Sequence, residues 1–539
     1  MRVAVAGGGP GGLFSATLIR RADPTAEVTV FERNRADDTF GFGVVFSDRT
    51  LDGIHQADPV LRQALADHGR HWDAIEIRLK GERIHCGGNG MAAVMRRTLL
   101  ALMQARARSA GAELRFSAEV SLDDLAGYDL VVAADGAGSK IRQQLEAALG
   151  TSVETAAAKF IWFGTDYAFD GLTFVHERGP DGVFAVHGYP ISPDASTFIV
   201  ETDEQSWRRA GLDEFDVTRP PGASDMISRD YLEKLFADQI DGHRLLVNNS
   251  RWASFRTRRT RRWHTLTPRP VALLGDAVHT AHFSVGSGTK MAMEDAVALS
   301  QALAGHPGDL EAALAVYEQA AQPPVRKIQD SARPSLAWWE HFGRYYDAFE
   351  PWQFAYHFLS RSITDARLGR RAPGFVDASH RAWIKEHGTE PLQTPFAHAG
   401  WTAPGRVLEI QAGPGGPAAA VPGHSPGLRL ADEPPAEGAW GARLAAPEHE
   451  AGLPAVFRTL GHLARHHPAL VAVHGGTPLT RTLVCEQARL QTAVPALLID
   501  DELDADQAVT MVLSGRTDLV GAPAGTLRAG GLLAGGLLA

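Results

Sequence analysis

At 539 residues the chain exceeds what one hydrophobic core usually serves, which predicts about two to four domains. Its 44% hydrophobic and 22% charged content is ordinary for a globular protein, and a net charge of -10 argues against general nucleic-acid binding. Only Cys86 and Cys485 are present, far apart, which excludes a disulfide framework or a cysteine zinc site and fits a reducing, cytoplasmic setting. No apolar run approaches about eighteen residues, and the first strand begins at residue 2. Neither a membrane span nor a signal peptide is therefore expected.

Residues 2–6 read as a short buried strand. Gly7-Gly8-Gly9-Pro10-Gly11-Gly12 follows at once, then an apolar-periodic helix over 13–21 and a second strand over 28–31, ending on Glu32 and Arg33. Gly7, Gly9 and Gly12 satisfy G-x-G-x-x-G between strand and helix. In that pattern the first glycine allows a tight turn, the second admits a pyrophosphate to the backbone, and the third lets the helix pack on the sheet. The helix N-terminus offers unpaired N–H groups and partial positive charge to phosphates. Glu32, about 20 residues past the turn, is placed to accept hydrogen bonds from a ribose. The pattern predicts a bound dinucleotide.

Residues 40–46 (FGFGVVF) read either as a buried loop beneath the nucleotide or as a loop close to the cofactor's ring system, with the second preferred. A helix is expected over 51–66, a hairpin over 74–85 turning at Lys80-Gly81, and a helix over 91–110 carrying Arg96 and Arg97. Arg96 is either solvated or reaches back to a phosphate, which a guanidinium suits. Residues 129–135 (DLVVAAD) form a buried strand ending in Asp135-Gly136. From 159 to 262 short β-rich segments suggest a sheet covering a pocket. They end in a basic strip, Arg256, Arg258, Arg259, Arg261 and Arg262. That strip is a solvated strand face or a contact for an anionic substrate or pyridine-nucleotide phosphates. The strand at 271–274 runs into Gly275-Asp276, a loop with His279 and His282, and a long helix from 289, a second strand–loop–helix unit. Helices over 310–320 and 326–349 read as scaffold and lid. Residues 412–447, dense in Gly, Pro and Ala, read as a linker; 453–524 returns to α/β alternation.

The three spaced motifs, Gly7-x-Gly9-x-x-Gly12 with Glu32, Asp135-Gly136, and Gly275-Asp276 before a glycine-rich loop, resemble the flavoprotein aromatic hydroxylases. These are single-component FAD monooxygenases of the p-hydroxybenzoate hydroxylase type. The segments GFGVVFSDRTL, KFIWFGTD and GDAVHTAHFSVGSGTKMAMEDA are similar to the salicylyl-CoA 5-hydroxylase and 2-aminobenzoyl-CoA monooxygenase group. They also resemble the flavin-dependent tryptophan hydroxylases of indole pigment pathways. The resemblance covers about residues 1–390. It implies an α/β fold in which a Rossmann-type FAD-binding domain (1–75, 90–150, 268–340) interleaves with a β-sheet substrate domain (about 76–90 and 151–265). A helical end (341–390) and a Pro/Gly-rich linker (391–450) follow. Residues 451–528 resemble a partial (β/α) barrel of the old-yellow-enzyme kind, too short for the ~250 residues of a full one. That module is expected to pack or to form an interface rather than bind a flavin. The tail 529–539 is expected to be disordered.

The resemblance further implies that Gly7, Gly9, Pro10, Gly11, Gly12, Glu32 and Arg33 bind FAD at its ADP half, and that Arg96 contacts its phosphates. Asp135 and Gly136 would serve both FAD and NAD(P)H. Gly275 and Asp276 would hold the ribityl–pyrophosphate region, and Gly286, Ser287 and Gly288 would lie against the isoalloxazine. Phe42, Val44, Phe283, Arg258 and Arg261 are the expected substrate residues. His282, and more weakly His279, is the candidate ring-activating base, the alternative being that it packs and hydrogen-bonds there. No metal is expected. NADPH or NADH would reduce the FAD, and O2 would supply the oxygen delivered to an electron-rich ring. The arginine strip and the barrel-like module favour an aryl-CoA thioester such as salicylyl-CoA or 2-aminobenzoyl-CoA. An indole-type or other natural-product aromatic and a non-catalytic FAD-binding role are the alternatives. A flavin halogenase would carry W-x-W-x-I-P, and Trp338-Trp339 does not match that pattern. A monomer or homodimer without nucleic-acid or membrane partners is expected.

Overall fold

The computed structural model describes residues 1–39, 41–216, 222–286, 288–413, 416–421 and 427–523. The chain divides into two compact units, Met1–Gly343 and Arg344–Ala539.

The first unit is built on two large sheets. One has six strands in the order His264–Thr265, Val271–Leu273, Leu130–Ala133, Arg2–Ala6, Glu27–Glu32, Glu113–Phe116. All neighbours are parallel except the first pair. Val3, Val5, Val131, Val132 and Val271 are fully buried, as a parallel sheet covered on both faces requires. Helix Pro10–Ala22 follows the first strand, with Pro10 in its first turn where no N–H is missed. It lies close on helix Gly288–Gly305: a Cβ added at Gly11 would stand 2.6 Å from Leu274 Cδ1 and 3.1 Å from Ala292 Cβ.

The other sheet has eight strands. Its path runs Leu245–Leu246, Thr151–Thr165, Ala195–Thr202, Gly182–Ser192, Leu172–Gly179, Ile75–Leu79, Glu82–Cys86, and Ala253–Thr260 also pairs with Thr151–Thr165. Phe163, Phe184, Phe198 and Phe236 fill the core beneath it. The chain thus passes from the parallel sheet to this one and back twice before residue 271.

Three expectations change here. Residues 43–47 are a strand, Gly43–Ser47, not a loop. The expected helix over 91–110 begins as strand Met91–Met95, and helix starts only at Arg96 (Arg96–Ser109). The two strands pair with each other, and Arg70–Trp72 pairs with the second. Alanine-rich MAAVM favours a helix locally, but the ladder partners decide its state. The expected helix over 51–66 is two helices, Asp48–Ala57 and Pro59–His68. They part at Asp58, whose carboxylate accepts from Val60 N–H and Leu61 N–H, both at 3.1 Å.

In the second unit, helices Pro351–Leu359, Asp365–Arg371 and Pro373–His387 lead to a hairpin, Phe396–His398 with Trp401–Ala403. A closed barrel of seven strands follows: Val407–Gly413, Gly416–Ala420, Leu428–Ala431, Gly441–Ala445, Leu470–His474, Ala496–Ile499, Leu519–Pro523. This corrects two expectations. The supposed linker over 391–450 supplies the hairpin and the first four barrel strands, and the barrel is closed rather than partial. Closure comes from parallel pairing of Val407–Gly413 with Leu519–Pro523, which leaves no strand edge. Leu408, Leu430, Leu470, Leu497 and Leu519 fill the interior. Small residues make the room: a Cβ at Gly441 would stand 2.7 Å from Leu430 Cδ2 and 2.9 Å from Leu470 Cδ1. Residues 414–415 and 422–426 of the supposed linker, and the tail 529–539, lie outside the described residues.

Candidate active site

The turn after Arg2–Ala6 is fixed by backbone contacts that leave no room for side chains. Gly7 has φ +113°, donates its N–H to Phe31 O at 2.8 Å, and a Cβ there would collide with Ala134 O. A Cβ at Gly12 would collide with Gly7 O, so the helix packs onto the turn only because Gly12 has none. Gly9 is different: nothing lies within 4 Å of where its Cβ would be. The helix N-terminus therefore faces open space. Glu32 closes one side, accepting from Gly8 N–H at 2.7 Å and from Asn34 N–H and Nδ2 at 2.8 and 2.7 Å. Arg33, next along, is exposed.

Two more loops reach the same edge of the parallel sheet. Ala6 pairs with Ala133, and Ala133 with Leu273, so Asp135 and Gly275 leave their strands beside the glycine turn. Asp135 Oδ2 accepts from Lys140 N–H at 2.9 Å, while its buried Oδ1 has no hydrogen-bond partner among the described residues. Gly275 donates its N–H to Asp295 Oδ2 at 2.8 Å, and the same oxygen lies 2.7 Å from His279 Nε2. Asp276 is exposed to solvent yet enclosed by protein, and that enclosure raises its pKa against the opposing pull of His279 and Arg96. Arg96 is half-buried. Its pKa is lowered by burial and drawn back up by Tyr189 and Asp276, and its Nε has no hydrogen-bond partner among the described residues. These charged groups border the cleft left open where no atom stands within 4 Å of a Cβ at Gly9, Gly136 or Gly286.

The two arginines expected at the substrate part company. Arg258 is buried, donates from Nη1 to Asp276 O at 2.9 Å, and its N–H donates to Thr280 Oγ1 at 2.7 Å. Arg261 is exposed and, with Arg259, Arg326 and His279, lines a cavity of about 280 Å³. Gly286 has φ +61° and Gly288 opens helix Gly288–Gly305; Ser287 lies outside the described residues.

An aromatic wall stands beside this cleft. Phe283 has Phe160 at 5.0 Å between ring centroids, His187 at 5.4 Å and Trp162 at 5.9 Å. Phe42 belongs to the same cluster and packs against the bare backbone of Gly164, where a Cβ would stand 2.6 Å from Phe42 Cδ1. Asn248 Nδ2 holds the approach to Phe42 by donating to Thr39 O and Gly41 O at 3.1 and 3.0 Å. Phe40 lies outside the described residues. Val44 does not join the wall: strand alternation turns it and Phe46 into the core of the parallel-sheet layer, and Val45 takes the aromatic side.

His282 is 2% exposed and has both ring nitrogens engaged. Nε2 lies 3.1 Å from Glu201 Oε1, and Nδ1 lies 2.7 Å from Ser284 Oγ. Glu201 Oε2 is 2.7 Å from His187 Nε2. Burial alone would raise the Glu201 pKa, but His282 and His187 hold it down to about 2. Glu201 and His187 escape sequence reading because nothing in STFIVET or GVFAVHGYP announces that the two pair across neighbouring strands, or that Glu201 meets His282 from a distant loop. Among the described residues no cluster of three or more His, Cys, Asp or Glu could hold a metal, and no helix is long and apolar enough to cross a membrane.

Residues 1–332 match the family described as FAD binding domain. The chain belongs to this FAD-binding family. Among its relatives, a salicyloyl-CoA 5-hydroxylase from Streptomyces sp is 53% identical over 97% of this chain and 99% of its own length. A 3-hydroxy-4-methyl-anthranilyl-[aryl-carrier protein] 5-monooxygenase from Streptosporangium sibiricum is 37% identical over 63% of this chain and 89% of its own. The solved tetrameric form of 2-methyl-3-hydroxypyridine-5-carboxylic acid oxygenase superposes with a TM-score of 0.51 at 19% identity, covering 67% of this chain and 98% of that one, which shows the shared fold. This member of the FAD-binding family is an FAD-dependent aromatic monooxygenase. Its cleft fits the cofactor. The cradle is bare at Gly9, Gly136 and Gly286, and Asp135 Oδ1 and Arg96 Nε are polar atoms left for a ligand.

Proposed function

We propose that this monooxygenase hydroxylates an electron-rich ring presented as a CoA thioester of the salicylyl-CoA or 2-aminobenzoyl-CoA class. O2 and NADPH or NADH are its co-substrates, and it works in the cytoplasm as a monomer or homodimer. The observation that carries the reading is coverage. The relative named for a CoA thioester aligns over 97% of this chain, against 63% for the one named for a carrier-protein substrate. In this reading Gly7, Gly9, Pro10, Gly11, Gly12, Glu32 and Arg33 hold the ADP half of FAD, with Arg96 at the phosphates. Asp135, Gly136, Gly275 and Asp276 take the middle of the molecule, and Gly286, Ser287 and Gly288 the ring. Bound FAD supplies the redox chemistry, accepting electrons from NAD(P)H and activating O2. The chain's own part is to position the aromatic ring and exclude water. Phe42 and Phe283 wall the ring site, and Arg258 secures the Asp276 loop from behind through its bond to Asp276 O.

The test is turnover by the purified yellow protein with a panel: salicylyl-CoA, 2-aminobenzoyl-CoA, tryptophan and the free acids, each with NADH and NADPH. A hydroxylated thioester as product, with the free acids left unchanged, is the expected outcome. Hydroxylation of tryptophan or of a free acid, with both thioesters refused, would sink the substrate class. Light scattering on the same sample reads the oligomeric state.

A further inference from the structure

A cavity of about 280 Å³ lies among strand Ala253–Thr260, helix Leu310–Ala348 and the turn at Gly150. Gln322, Val325, Arg326 and Gln329, spaced i, i+3, i+4 and i+7, turn one helix face toward it. Gln329 Nε2 donates to Arg258 O at 2.7 Å and to Thr280 O at 2.9 Å, and Gln322 Nε2 to Arg261 O at 2.9 Å. These bonds pin the helix over the strand. From the strand come Arg259 and, just past its end, Arg261, two residues apart and so on one side. Arg258, between them, reaches Asp276 O instead.

The charge of this cavity is one-sided. Arg259, Arg261 and Arg326 line it, and among the described residues no Asp or Glu does. Arg259 is answered by Asp330, whose Oδ1 lies 3.0 Å from its Nη2, whereas Arg261 and Arg326 have no ion-pair partner among the described residues. A larger cavity, of about 500 Å³, differs. Glu311 and Glu318 line it together with Arg262 and His264, and His264 Nδ1 lies 2.8 Å from Glu318 Oε2. Its charges are matched within the protein.

His279 also lines the arginine cavity, although its side chain is 2% exposed. Its Nε2 lies 2.7 Å from Asp295 Oδ2, a carboxylate oxygen that can only accept, so the ring proton sits on Nε2. Nδ1 is then a bare acceptor, and it has no hydrogen-bond partner among the described residues. Buried polar atoms are paired as a rule, so this nitrogen calls for a donor from the cavity. Cations beside a buried acceptor suit an anion that still carries a proton. A phosphate monoester, with a second pKa of about 6, is such an anion near neutral pH. Sulfate and the diphosphate bridge of a dinucleotide are fully ionised there and have no proton to give.

We propose that this cavity binds the terminal phosphate monoester of a coenzyme. Its P–O–H donates to His279 Nδ1, and its other oxygens accept from Arg261 and Arg326. Two of the coenzymes in the reading above carry such a group, CoA on its 3′-hydroxyl and NADPH on its 2′-hydroxyl; NADH carries none. The site rests on that reading only for the choice between the two.

The test is isothermal titration calorimetry of the FAD-loaded full chain, with inorganic phosphate as the first probe. Sulfate is expected to bind at least about tenfold more weakly than phosphate, and Arg261→Ala and Arg326→Ala should each weaken phosphate by about tenfold. Flavin content should stay unchanged in both variants. Equal binding of sulfate, or phosphate binding unmoved by either variant, overturns the site. Two pairs of ligands then read the carrier: CoA against dephospho-CoA, and NADP+ against NAD+. In the wild type at least one pair should differ by about tenfold or more, and Arg326→Ala should erase the difference. A preference for CoA assigns the site to the thioester substrate, and a preference for NADP+ assigns it to the reductant. Equality within both pairs overturns the coenzyme assignment. If CoA and dephospho-CoA are both refused while the preference for NADP+ holds, the thioester reading fails and the phosphate site stands.

Discussion

Single atoms decide much of this site, and Gly12 and Arg258 show it best. A methyl group at Gly12 has nowhere to go, because the atom it meets is the backbone oxygen of Gly7. Gly12→Ala is expected to cost about 1–3 kcal/mol through overpacking and to lower bound flavin, read by the melting temperature and the ratio of visible to ultraviolet absorbance. The arginine strip, read from sequence as one surface, separates into different residues. Arg258 is committed to Asp276 O, so Arg258→Ala should weaken FAD retention, measured by flavin loss on gel filtration. Arg261→Ala should leave FAD retention unchanged, since its exposed side chain lies in the other cavity. Equal flavin loss in both variants would contradict this division.

At the scale of elements, the motifs are legible in the sequence and the small strands are not. Gly7 to Glu32, Asp135-Gly136 and Gly275-Asp276 announce themselves because each is a backbone device tied to a strand end, and such devices survive in local sequence. Gly43–Ser47 and Met91–Met95 are strands because they pair with each other, the second also with Arg70–Trp72. No window of either segment contains that information, so Val44 reads as a substrate residue although it faces the core. The barrel strands are hidden for a related reason. GPAAA and GARLA are too poor in large apolar residues to alternate visibly, and ring closure supplies the partners their composition conceals. Glu486, on helix Pro478–Gln491, is equally silent. It is buried against Arg344 at 3.0 Å, His357 at 3.2 Å and the Tyr345 hydroxyl, and its carboxyl is held well below the usual range. Burial opposes that shift, and His357, Arg344 and Arg516 outweigh it. Glu486→Gln strands buried cations and is expected to cost about 3–5 kcal/mol. Urea denaturation followed by a probe in the second unit checks this, and an unchanged midpoint would contradict it.

For the whole molecule, buried histidines set the acid limit. Burial lowers His176 and His357 from 6.5 to about 3. In the unfolded chain each takes a proton below about 6.5, while in the folded chain each stays neutral until about 3. Their share of stability is therefore complete above about 6.5 and lost as pH falls toward about 3. Glu201, held at about 2 instead of its usual 4.5, adds a further loss between those values. Melting temperature should fall steadily below about pH 6.5, and His176→Phe, which keeps a ring stacked on Trp339, should flatten the decline. A wild-type melting temperature constant from about pH 7 to about pH 4 would refute the assignment.

All of these contacts serve one claim, that the chain inserts a single oxygen atom from O2 into an aromatic ring. Turnover of salicylyl-CoA under ¹⁸O2, with the product read by mass spectrometry, tests it most directly. One ¹⁸O atom on the ring of the intact thioester is the predicted result. A ring oxygen that derives from labelled water, or NAD(P)H oxidation that yields only hydrogen peroxide and unchanged thioester, would contradict it.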